Sequence, residues 1–145
     1  MSSAGEWTEE DFESLSWHDN HVHALRIEGG GEQGSGALSL DIDYIVEWLP
    51  APGGSYRFRI SPATLRFHDV FGLKIEIDWS GGAMCPFSIS GISRQRLAHD
   101  SWAWTIAVNW PKGIITFESI GFTQVLRAPA ISKSAQCLEP HERQA

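Results

Sequence analysis

Apolar residues recur at every second position through most of this chain. Leu38, Leu40, Ile42 and Tyr44 alternate with Ser39, Asp41 and Asp43, and the rhythm continues through Val46 and Trp48. Tyr56, Phe58 and Ile60 alternate with Arg57 and Arg59, and Leu73, Ile75, Ile77 and Trp79 with Lys74, Glu76 and Asp78. Trp102, Trp104, Ile106, Val108 and Trp110 alternate with small or polar residues. Successive side chains of an extended strand point to opposite faces, so the pattern predicts strands with one buried and one solvated face. Turn signals separate the runs: five glycines in 29–36, the Pro50–Gly54 segment, and Pro111 as second residue of a Trp110–Gly113 turn. Strands are expected at 21–28, 37–48, 55–60, 64–70, 73–79, 86–90, 101–109, 114–119 and 122–127, with a helical turn at Ser93–Leu97.

The chain therefore reads as one all-β domain over residues 1–145. The expected architecture is an antiparallel meander forming a sandwich or a strongly curved sheet or barrel. The β portion covers about 21–128, and a polar tail over 129–145 is expected to fray after Leu138. Leu, Ile, Val and Phe supply 35 of the 145 residues, enough to build a core and to exclude disorder.

One short N-terminal helix is expected at 8–15. Thr8 is its N-cap, Glu9, Glu10 and Asp11 fill the first turn, and Trp7 and Phe12 form a hydrophobic staple. That helix accounts for the acidic head. Glu6, Glu9, Glu10, Asp11 and Glu13 carry most of the net charge of −7, and the remaining 13 acids and 11 bases nearly cancel. No basic stripe exists, which counts against nucleic acid. No apolar run reaches the length of a membrane span, and the N-terminus has no signal-peptide pattern. Cys85 and Cys137 stand without ligand-like spacing; one disulfide between them is an alternative, and two free thiols of a cytoplasmic protein are the expectation.

Chemistry is sparse. The densest polar cluster is His18, Asp19, His21 and His23, with His68 and Asp69 as distant candidates to join it. On a strand, His21 and His23 point to one face, the face of Leu25 and Ile27, and such a pair can offer two imidazoles to a metal. The cupin arrangement fits at Glu28 but fails at Leu15, where it needs glycine. No third or fourth ligand is nominated, so no metal or cofactor is assigned. His-Asp occurs at 18–19, 68–69 and 99–100 in strand or turn context, unlike the helical phosphohydrolases that use this pair. Asp41 and Asp43 are expected near Arg57 and Arg59 across the 48–55 loop, as solvated cross-strand pairs. No nucleophile elbow, P-loop or dinucleotide fingerprint is present.

The stretches SWHDNHVHAL, LDIDYIVEWL, YRFRISPATLRFHDVFGLKIEIDW and WTIAVNWPKGIITFESIGFTQVLR together resemble a family of small bacterial proteins to which no activity is attached. The Trp17-His18-Asp19 triplet also resembles some immunity proteins of bacterial toxin systems. These resemblances imply no site residues. The expected function is a non-enzymatic protein-binding module, of immunity type by the second resemblance. Its partner is another protein, or a second copy through strand edges or the Trp102/Trp104/Trp110 face. The alternative is a metal-binding protein or metalloenzyme built on His21 and His23.

Overall fold

The computed structural model describes residues 5–30, 36–98 and 100–143, so most of the glycine loop and His99 lie outside the described residues. Nine strands run through them: β1 (Glu6–Thr8), β2 (His21–Glu28), β3 (Gly36–Pro50), β4 (Tyr56–Ile77), β5 (Phe87–Arg96), β6 (Trp102–Asn109), β7 (Lys112–Ser119), β8 (Gly121–Leu126) and β9 (Ile131–Lys133). All pairings are antiparallel. Two three-stranded meanders, β2-β3-β4 and β5-β6-β7, are joined at both edges. β2 pairs with β5 through His21 and Val22, and β4 pairs with β7 from Phe71 to Ile77. The sheet thus curves into a closed ring, the strongly curved alternative of the expected architecture.

The 22-residue strand β4 organises the ring. One edge pairs with β3 from Tyr56 to Val70. The other edge takes three partners in turn: β9 at Phe58–Ile60, β8 at Ala63–His68 and β7 at Phe71–Ile77. Three separate strands were expected in this stretch, and the interruptions in the alternation mark the changes of partner. Pro62 sits at the first change. Its carbonyl accepts the Arg127 amide at 2.8 Å. A strand residue aims its amide and carbonyl to the same side, so the donor that proline lacks faces the gap between β9 and β8. Asp69 (φ 51) and Gly72 (φ 63) bracket the second change, where the register with β7 also shifts.

Leu38, Leu40, Ile42, Leu65, Phe67, Ile106, Ile115 and Phe117 point into the ring with Trp104, which is 1% exposed. Trp104 Nε1–H donates to the Ser119 carbonyl at 3.1 Å, and its ring meets Phe12, Phe67 and Phe122 edge-on. Trp102 is half-buried beneath the Arg94 guanidinium, 3.9 Å from its ring centre, and only Trp110 of that series is well exposed, at 55%. The expected helix is a 3-10 helix over Glu9–Ser14, entered through β1, with the capping box of Thr8 and Asp11 formed. Arg94 ties it to β5 by donating to the Glu9 carbonyl. Ser93–Leu97 is not a helical turn: residues through Arg96 continue β5, registered against Trp102–Thr105 of β6. No helix among the described residues is long and apolar enough to cross a membrane.

Candidate functional site

Two features stand out: a buried polar cluster on the outer face of β2 and β3, and an apolar cleft where the ring wall is incomplete.

The cluster begins with a bulge. His21 opposes Asp43 and Val22 opposes Ile42, but Ala24 opposes Asp41, which leaves His23 as an extra residue. The bulge reverses the parity of the strand. Leu25 keeps its place facing Leu40 and the core, while His21 and His23 lie on the outer side with Asp43. The expectation that both histidines share a face with Leu25 and Ile27 is corrected by this one inserted residue.

Asp43 is 0% exposed, not solvated. The pairing expected for Asp41 and Asp43 with Arg57 and Arg59 is also absent. The β3–β4 register sets those arginines opposite Leu49 and Glu47, and Arg59 pairs with Glu47 at 3.2 Å. The partners of the aspartates come instead from beyond β8. Arg143 ion-pairs with Asp43 Oδ1 and donates to Asp41 Oδ1, and Arg127 donates to Asp41 Oδ1 at 2.6 Å. Asp43 Oδ2 accepts His23 Nε2–H at 2.7 Å and the Leu138 amide at 2.9 Å. Burial alone would raise the Asp41 carboxyl, but hydrogen bonds from Arg127 and Arg143 outweigh it and hold it below the usual range. Burial lowers His23, with the Arg143 charge second, and its Nε2–H donates to the carboxylate that Arg143 also pairs with. Burial and the neighbouring His23 lower His21 in the same way.

The tail closes over this cluster and does not fray after Leu138. Leu138 is 2% exposed and packs with Ile45, Phe58 and Ile60 in a second small core. Gln136 Nε2–H donates to Asp19 at 2.9 Å, and Cys137 Sγ lies 3.8 Å from His23 Nε2. Burial pushes the Cys137 thiol up, Lys133 opposes it, and Glu139 and Glu142 reinforce it.

His18, Asp19, His21 and His23 are thus gathered at one end of β2. His18 stacks on Trp48 and bonds the Ser90 carbonyl. His68 and Asp69 do not join them. His68 opposes Gly121 and bonds Thr123 at 3.1 Å, beside the other end of β2, a strand length of about 23 Å away. Asp19, Asp69 and Asp100 all have positive φ (64, 51 and 60), a conformation aspartate tolerates; Asp19 and Asp100 lie in turns and Asp69 at the change of partner within β4. Cys137 and Arg143 were not anticipated, because only the folded tail brings them to His23 and Asp43, and Arg127, just beyond β8, was not expected to reach Asp41. Cys137, His23 and Asp43 are no acid–base relay either. Cysteine and aspartate face the same ring nitrogen, whereas a relay uses both.

The cleft has a different origin. β2 pairs with β5 only at its first two residues, so Ala24–Glu28 have β3 on one edge and no strand on the other among the described residues. β4 beyond Val70 likewise has β7 on one edge and no strand on the other. Between these edges lies a cavity of about 560 Å³ walled by Leu25, Ile75, Ile77, Trp79, Met84 and Phe87, with His23 and Cys85 as its polar margin. Trp79 is fixed by donating to the Cys85 carbonyl at 3.1 Å.

Comparison of the chain with protein-family models, curated proteins and solved structures found no match.

Proposed function

We propose that this chain is a non-enzymatic binding domain that receives an extended apolar segment of a partner protein in the cleft between β2 and β4. One observation carries the reading: the cavity is bordered by two strand edges that lack strand partners among the described residues, and its lining is mostly apolar. An added strand gains affinity from main-chain hydrogen bonds and specificity from alternate side chains entering the apolar floor. The volume lies within the range of ligand-binding cavities. Met84, 77% exposed, and Ile75, 41% exposed, sit at the rim, apolar surface of the kind that marks interaction sites. Among partner classes, a toxin chain is the one toward which the Trp17-His18-Asp19 resemblance points.

The test is selection of short peptides from a random displayed library against the immobilised full chain, followed by amide chemical-shift mapping. The expected result is enrichment of sequences alternating apolar and polar residues, with shifts at Ala24–Glu28 and Ile75–Phe87. Met84→Asp or Ile75→Asp should weaken the selected peptide at least about tenfold, as loss of a central apolar anchor does. These rim positions are exposed enough for the fold to survive. No enrichment, or shifts confined to another face, would exclude the reading.

A further inference from the structure

The binding reading makes no use of the donor atoms in the polar cluster. His23 Nε2, a carboxylate oxygen of Asp43 and Cys137 Sγ all lie within 4.8 Å of one another. They come from three segments: the β2 bulge, the middle of β3 and the tail. We propose that these three side chains bind one divalent cation of the zinc type.

Nitrogen, oxygen and thiolate sulfur together are the ligand set zinc takes, whereas magnesium or calcium calls for oxygen throughout. Bonds of about 2.0–2.3 Å place neighbouring ligands of a tetrahedral zinc about 3.3–3.8 Å apart. The His23–Cys137 separation of 3.8 Å is within a few tenths of an ångström of the N–S spacing, and the three donors, all within 4.8 Å of one another, close to it by about 1 Å of side-chain movement. The His23–Asp43 separation of 2.7 Å is drawn in by the shared proton and opens by about 1 Å or less when a metal replaces it. The protons balance. The one on Nε2 shifts to Nδ1, the thiol proton passes to solvent, and the carboxylate and thiolate cancel the charge of the dication. Arg143 remains on Asp43 Oδ1 and orients the carboxylate as an outer-shell partner does. Three protein ligands leave a fourth position for water or an incoming donor. The site differs from the chelate that a His-x-His strand suggests: His23 takes part with Asp43 and Cys137, not with His21.

The test uses the full chain, made without a histidine tag and stripped with chelator, titrated with Co²⁺ alone and then with Zn²⁺ alone. The expected outcome is one Co²⁺ per chain with thiolate-to-cobalt charge-transfer absorption, displaced by one equivalent of zinc. Cys137→Ser removes the absorption and weakens binding by more than about tenfold, the least that loss of even an outer-shell partner costs. Cys85→Ser changes neither. The serine variant is nearly isosteric, and circular dichroism verifies its fold. Absence of thiolate absorption at one equivalent, or absorption that disappears with Cys85, overturns the proposal.

Discussion

A carboxylate with no exposed surface stays ionised only when other groups supply what water would have supplied. Asp43 has Arg143 on one oxygen, and His23 and the Leu138 amide on the other. Its neighbours are tuned by the same burial, and the sign of the effect is testable at His21. The folded chain resists protonating that imidazole, while an unfolded chain protonates it at the ordinary value of 6.5. Stability is therefore fully present above about 6.5, falls as the pH is lowered, and levels off once the folded imidazole also takes its proton. Urea denaturation at stepped pH should show this decline, and His21→Gln should flatten it by less than about 1.4 kcal/mol per pH unit, since the ring keeps some solvent contact. An unchanged slope would mean that His21 titrates alike in both states. None of this was visible in the alternation around Asp43. Period two assigns a residue to a face, but it does not say whether another segment covers that face.

Among the elements, the tail does the covering. Leu138 anchors it in the small core of Ile45, Phe58 and Ile60, and Lys133 holds Glu142 at 2.6 Å. Leu138→Asp should detach residues 134–143 while the ring persists. Amides of that segment would then exchange rapidly, and Asp43, losing Arg143 and the Leu138 amide, would be met by water in their place. Unchanged exchange would show that the polar contacts suffice alone. The tail could not be read as structured because its composition is polar and its single buried leucine has no periodic neighbours. β4 shows the converse. Its breaks at residues 61–63 and 71–72 were legible, but they mean a change of neighbour, and a change of neighbour is a property of the sheet. The β2 bulge was hidden for a similar reason: one extra residue leaves the local rhythm intact and reverses only its meaning.

For the molecule as a whole, the strand rhythm was legible, because curvature needs only alternation; whether Trp104 fills the interior or lies on an exposed aromatic face was not, and the structure buries it. Which edges meet was not legible, since the β4–β7 and β2–β5 seams join residues far apart in sequence. That distance has a cost in time. The β3–β4 hairpin closes a short loop, whereas the β4–β7 seam must wait for a long one. Ile42 in β3 and Ile115 in β7 are both fully buried, so Ile→Val at either site should cost about 0.5–1.5 kcal/mol. Stopped-flow chevrons should show Ile42→Val slowing refolding and Ile115→Val mainly hastening unfolding, and the reverse partition would place the nucleus at the seam. If the hairpin leads, rupture starts where the two meanders were last sewn together. The molecule then comes apart by unrolling from β7, with the longest strand still holding its first neighbour.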